Sequence, residues 1–348
     1  MNSETKNLFG TVAEAVKRSD NLQESIGQGF AFPVPKEIRD LPEDVGIEAD
    51  VETIIGKKAL LKAALEAVRQ AWEKAIDPQL EAVRNQILRP EEQKGGTDFF
   101  TQADTSSEKL IRDYFFKLFG EDHLRIFGEE ANRYLGNTHS RIGIRIDPID
   151  GTESMKFGKT PDWSIMVGVY EGTLEKERQV VGVVYFPERG VLMYQIDELP
   201  GIYIGKPETG ESQCIKDIPI HNHLKNIVTC FWKHADPKRR GPIDQIEQKL
   251  HQAGARLRST NSASADVLEA LTTNGQRAIV MDGDITTVDY IAYSFLQKIG
   301  YTLHGWRGES LNTEDTDITD KKIILVPPGA AGEEILKIVT EAIQSSTN

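Results

Sequence analysis

Ile146-Asp147-Pro148-Ile149-Asp150-Gly151-Thr152-Glu153-Ser154 is the stretch on which the reading of this chain turns. An apolar run ends in two carboxylates three residues apart, with a proline between them. Pro148 fixes its own φ and pushes Asp147 toward extended backbone, so a local bend can aim both carboxylates, and a carbonyl between them, at one point. Gly151 permits close backbone approach, and Thr152 stands where a helix can begin with amides open to a phosphate. Hard oxygen donors of this kind suit Mg²⁺, which keeps several waters and takes few carboxylates plus substrate phosphate. Asp-Pro and Asp-Gly are also ordinary turn chemistry, so the string alone is equally compatible with a plain bend.

Outward from it, Gly128-Glu129-Glu130 follows the apolar run Leu124-Arg125-Ile126-Phe127, and Asp98 and Asp104 flank Phe99-Phe100-Thr101-Gln102-Ala103. Leu60, Leu61, Ala64, Val68 and Trp72 recur three and four apart, which predicts an amphipathic helix over 56–88 that Pro78 breaks or restarts. Thr105-Ser106-Ser107-Glu108 matches a capping box, predicting a helix that starts there, runs to Leu118 and is stopped by Gly120. Val-, Ile- and Tyr-rich runs at 142–146, 164–170, 180–186 and 191–195 read as a mainly antiparallel sheet. After Cys214 the rhythm alternates: strands at 226–231, 277–281 and 322–326, and helices at 243–252, 263–271, 287–298 and 333–343. The fold class expected is therefore α/β, with an α+β first half and an α/β second half. The expected organisation is an irregular N-terminal arm over 1–52, an α+β domain over 53–214 and an α/β domain over 215–348.

The chain has 348 residues, 41 Lys plus Arg against 54 Asp plus Glu, and a formal net charge of −13. That balance argues against nucleic-acid polymers and polybasic membrane contacts as partners. No apolar run approaches a membrane span, the first residues lack a secretory h-region, and two cysteines make no disulfide scaffold. The expected compartment is the cytoplasm. Gly158-Lys159-Thr160 imitates the end of a P-loop, but the glycine required at position 153 is Glu153.

The order Asp-x5-Asp, Gly-Glu-Glu, Asp-Pro-Ile-Asp-Gly-Thr resembles the inositol monophosphatase family of magnesium-dependent, lithium-sensitive phosphomonoesterases. The family's late Trp-Asp-x-Ala-Ala/Gly motif is matched by Val288-Asp289-Tyr290-Ile291-Ala292, with valine in place of tryptophan and Asp284 as a competitor. The resemblance implies a layered αβαβα sandwich and two or three Mg²⁺ ions. Glu129, Asp147 and the Ile149 carbonyl would hold the first ion, and Asp147, Asp150 and Asp289 the second. Glu130 would stand behind these ligands or hold a third ion. Thr152 and Asp104 would orient and deprotonate the attacking water, supported by Asp98, while the Gly151 and Thr152 amides bind phosphate. Asn261, Ser262, Ala263 and Asp282 would contact the leaving group.

The expected function is hydrolysis of a small phosphorylated polyol or sugar by two-metal activation of water, in a homodimer. A 3′(2′),5′-bisphosphate nucleotidase shares these motifs and would need cations for a second phosphate, for which Lys156, Arg258 and Lys233 are candidates. A fructose-bisphosphatase fits the Glu153-Ser154 continuation less well. A catalytically silent metal-binding interaction protein is the alternative of another class, against which the retained Thr152 and Asp104 argue.

Overall fold

The computed structural model describes residues 36–41, 46–49, 54–84, 99–157, 161–232, 242–259, 262–282, 287–311 and 322–346. Most of the expected arm, with Asp98, Asn261 and Asp284, falls outside them. What is described of the arm lies on the body: strand β1 (Gly46–Glu48) pairs antiparallel with β2 (Ile54–Gly56), and Ile38 and Ile47 are fully buried.

The apolar spacing after Gly56 gives helix α1 (Lys57–Ala71), with Leu60, Leu61, Ala64 and Val68 in the core. Pro78 neither breaks nor restarts it. Trp72–Ile76 widens into a π turn, with the Asp77 amide bonded to the Trp72 carbonyl, and α2 (Asp77–Arg84) continues. Proline offers no N–H and its ring collides with the carbonyl four residues back; the wider turn accommodates both defects.

Helix α3 (Phe99–Phe119) is continuous, so the capping box expected at Thr105 is not formed and Thr105 and Glu108 are interior to the helix. The Glu108 carboxylate instead accepts the amides of Glu130 (2.7 Å) and Ala131 (3.2 Å), a chain-distant turn winning over the local cap. Gly120, at φ +87°, follows the end of the helix as expected.

The first sheet is built from β3 (Arg125–Gly128), β4 (Arg133–Gly136), β5 (Ile142–Asp150), β6 (Ser164–Gly172), β7 (Glu177–Phe186), β8 (Val191–Ile196), β9 (Ile202–Lys206) and β10 (Glu211–Ile215). A short helix, α4 (Thr152–Phe157), separates β5 from β6. The spatial order is β10-β9-β8-β7-β6-β5-β3-β4, antiparallel except for β3 beside β5.

The second sheet comes from β11 (Val228–Trp232), α5 (Ile243–Gln252), β12 (Arg256–Ser259), α6 (Ala263–Thr272), β13 (Arg277–Met281), α7 (Tyr290–Lys298), β14 (Thr302–Gly305), β15 (Ser310–Leu311), β16 (Ile323–Val326) and α8 (Ala330–Ser346). Its order is β12-β11-β13-β16-β14-β15, with β11 parallel to both neighbours and the remaining pairs antiparallel. Strands β12, β14 and β15 had no counterpart in the sequence reading; each is four residues or fewer, too short to display a period.

Alternation along the strands sorts side chains into three cores. Ile142, Ile144, Ile146, Val167, Val169, Val181 and Val183 pack with α1 and α3. Met166, Val184 and Phe186 pack with α6 and α7, as do Ile279 and Leu325 of the second sheet. Ala278, Val280 and Ile324 pack with α5 and α8. The result is the expected αβαβα sandwich. Gly168 and Gly182 are cross-strand partners beneath α7, where a Cβ would stand 3.0 Å from Ile291 and 2.7 Å from the Phe295 ring, so bare backbone lets the helix seat closely. No helix among the described residues is long and apolar enough to cross a membrane.

Candidate active site

In a regular strand, residues three apart face opposite sides of a sheet. Asp147 pairs with Met166 and Asp150 with Ser164, so three steps along β5 oppose two along β6. This bulge, at the proline that cannot donate to the ladder, brings both carboxylates to one cavity. The Asp147 carboxylate accepts the Ile149 amide at 3.1 Å, and the Thr152 hydroxyl donates to the Ile149 carbonyl at 2.9 Å. Gly151 is required twice over. Its φ is +86°, and a Cβ there would stand 2.6 Å from the Asp162 carbonyl and 3.0 Å from Ser262 Cβ.

The cavity, about 200 Å³, lies where both halves of the chain meet. Asp147, Ile149 and Asp150 come from β5, Glu129 follows β3, and Gly151 and Thr152 lead from β5 into α4; Ser262, Ala263, Asp266 and Asp289 come from the helical layer between the sheets. Trp232 and Met281, at the carboxyl ends of neighbouring parallel strands, complete it with Ile279 and Tyr293. Asp289 immediately precedes α7 with helical backbone, φ −57° and ψ −29°.

Five acidic residues, Glu129, Asp147, Asp150, Asp266 and Asp289, therefore line one space. Burial first, then the charges of Glu129, Asp150 and Asp289, hold the Asp147 carboxyl well above the usual range. Burial of the Glu129 carboxyl and the neighbouring acids push it up to about 7, against a lowering hydrogen bond with Asp147. Asp150 is also raised by burial, partly offset by its donors. Those donors are the Ser262 hydroxyl (2.8 Å), the Ser264 hydroxyl, and the Ala263 (3.2 Å) and Ser264 (2.8 Å) amides. Asp150 thus occupies the N-terminus of α6 and latches the first half of the chain to the second.

The remaining expected residues are placed as follows. Asp104 is buried on α3 and Glu130 is exposed beside Glu129; neither lines the cavity. Asp282 also stands apart from the lining, its buried carboxylate paired with Lys322, whose ammonium lies 4.5 Å from the Trp306 ring centroid. Arg258 is bonded twice to Glu269, at 2.7 and 2.6 Å, and lies 3.7 Å from Asp162. Trp163 is buried against Trp72. Glu108, Ser264, Asp266, Trp232 and Tyr293 were not foreseen; the only sequence signal among them, Glu108, was spent on the capping box.

Among the described residues, no group of three or more His, Cys, Asp or Glu side chains is arranged to hold a metal ion. The donor chemistry nevertheless fits a hard divalent cation. All the donors are oxygens, and the repulsion that lifts Glu129 and Asp147 is the charge that such an ion neutralises.

The model of the inositol monophosphatase family matches residues 50–344. The chain is 35% identical over 96 residues to a fructose-1,6-bisphosphatase/inositol-1-monophosphatase of Aquifex aeolicus (strain VF5), covering 28% of this chain and 33% of that protein. It is 27% identical over 168 residues to an inositol-1-monophosphatase of Rhizobium meliloti (strain 1021), covering 48% and 58%. The matched segments thus span about a third and about three-fifths of these relatives. The solved structure of the extragenic suppressor protein suhB from Bartonella henselae superposes with a TM-score of 0.63 at 17% identity, covering 81% of this chain and 99% of that one. That likeness concerns the fold alone.

Proposed function

The chain belongs to the inositol monophosphatase family, and on that premise we propose that it is a Mg²⁺-dependent phosphomonoesterase acting on a small phosphorylated polyol or sugar. The observation that carries the proposal is the bulged strand end that turns Asp147 and Asp150 into one cavity with Glu129 and Asp289. Glu129, Asp147 and the Ile149 carbonyl would hold one ion, and Asp147, Asp150 and Asp289 another. When bound, Mg²⁺ supplies charge neutralisation of the phosphate and a water acidic enough to attack at neutral pH.

The chain's own groups do the rest. The Thr152 hydroxyl and the Asp104 carboxylate, backed by Asp98, orient the water and take its proton. The Gly151 and Thr152 amides bind phosphoryl oxygens, and Glu130 adds negative charge behind the ligands. Among the described residues, Asp150 Oδ1 accepts only the Ala263 amide, at 3.2 Å, so it keeps a lone pair for a cation while Oδ2 stays with the Ser262 and Ser264 donors of α6. Ser262 and Ala263 would help choose the leaving group, with Trp232, Met281 and Tyr293 offering an apolar wall for the carbon face of a ring; Asp282, paired with Lys322 outside the lining, would act on it only from behind. In this reading the protein is a cytoplasmic homodimer with a small metabolite as its partner.

Of the cations a second phosphate would need, Arg258 is bonded to Glu269, while Lys233 and the Lys156 side chain lie outside what the structure describes. The test is Mg²⁺-dependent phosphate release from inositol 1-phosphate, several sugar monophosphates, adenosine 3′,5′-bisphosphate and fructose 1,6-bisphosphate. Preference for the monophosphates is expected. Preference for either bisphosphate would overturn the substrate class, and no release from any substrate, with Mg²⁺ still bound in calorimetry, would favour a silent binding protein.

A further inference from the structure

A row of cross-strand partners runs over the first sheet beneath α7: Arg145 beside Gly168, Gly168 beside Gly182, Gly182 beside Gln195. Each member meets the chain around α7. The Arg145 guanidinium donates to the Thr287 carbonyl at 3.0 Å, Gly168 lies under Ile291, Gly182 lies under Phe295, and the Gln195 amide donates to the Ser294 hydroxyl at 2.8 Å. The helix therefore crosses the strands on a seat that is bare in the middle and polar at both ends. Thr287 is two residues before Asp289, and Arg145 is two residues before Asp147 on the same face of β5.

Arg145 is itself held hard. It is 3% exposed, paired with Glu177, and its Cζ lies 4.1 Å from the centroid of the Tyr170 ring. Glu177 also pairs with Arg125, which is fully buried and donates to the Ser140 and Gly172 carbonyls. Gly143 leaves the room for this triad, since a Cβ there would stand 3.1 Å from both Arg125 and Glu177. Two guanidiniums against one carboxylate leave one surplus positive charge below the acidic cavity. Buried ion triads are a poor means of stabilising a core, because apolar side chains of similar volume do so at least as well. A rigid arm reaching the carbonyl just before Asp289 has a different use.

We propose that Arg145 is a positioning residue: through the Thr287 carbonyl it sets where Asp289 stands relative to Asp147, and so completes the cation site contributed by the two halves of the chain. The inference rests on the Mg²⁺ reading above. The test is calorimetric titration of the full chain with Mg²⁺ alone, on wild type and Arg145→Met, alongside melting temperature without metal. The expected result, read at a temperature where both proteins are fully folded, is about tenfold to hundredfold weaker Mg²⁺ binding, the loss usual for partners that orient a ligand. Removing one partner of a buried ion pair also lowers the metal-free melting temperature; wild-type affinity in folded Arg145→Met overturns the proposal. Should Arg145→Met fail to fold, Arg145→Lys keeps the charge but not the two-ended reach. Amide exchange at 288–291 is then expected to rise about tenfold, and unchanged exchange overturns the proposal. Absence of Mg²⁺ binding by the wild type would instead remove the metal reading and this inference with it.

Discussion

At the scale of single residues, Asp150 carries the most weight, because one carboxylate is asked to serve both α6 and a cation. Asp150→Asn keeps the size but loses the charge and one acceptor oxygen. Turnover is expected to fall by about 100-fold or more, beyond the loss seen for residues that merely orient a ligand, while far-ultraviolet dichroism stays native. Near-wild-type turnover at saturating Mg²⁺ would remove Asp150 from the metal set. Asp147 and Asp150 were legible as candidates because they sit in one short string whose proline and glycine constrain its backbone, whereas Glu129 and Asp289 entered only through the family resemblance. Glu108, Ser264 and Arg145 were not, because their partners lie 22, 114 and 142 residues away and no local pattern announces them. Glu108 even misled, since three residues after a threonine a glutamate looks like a cap.

At the scale of elements, the seat of α7 sets how closely that helix approaches the sheet. Gly182→Ala would place a methyl 2.7 Å from the Phe295 ring and 2.3 Å from the Gln179 amide nitrogen, lifting the helix. A loss of about 1–3 kcal/mol is expected, typical of overpacking, and is read from the urea midpoint. Mg²⁺ affinity is expected to fall as well, since Asp289 moves with the helix. An unchanged midpoint would show that α7 has slack above the sheet. Long elements such as α1 and β5 to β8 were readable from their periods. The continuous α3 and the π turn at Pro78 were not, because a cap-like tetrad and a proline are stop signals that tertiary packing overrules here.

For the whole molecule, stacking three cores puts carboxylates from both halves into one space, which ties stability to pH and, on the proposed function, to metal. Glu129, Asp147 and Asp150 all have folded carboxyls raised above their ordinary values. Their stabilising contribution is therefore full below the unfolded values near 4 and is lost as pH rises through the folded ones, about 7 for Glu129. Without metal, the melting temperature is expected to fall from pH 5 to pH 8. With Mg²⁺ in excess it should flatten or rise, because binding to the ionised site adds stability by mass action. A metal-free melting temperature that rises over this range would contradict the acidic crowding. Alternating strands and helices gave the fold class; the five-layer order and the meeting of the two halves at Asp289 were expected only from the family resemblance, since the contact is made by residues that no period links. The Asp150 latch on α6 has one more consequence, in the order of events rather than in energy. The carboxylate and its donors stand 112 to 114 residues apart in the chain, so the latch can close only after both halves have been made and brought together.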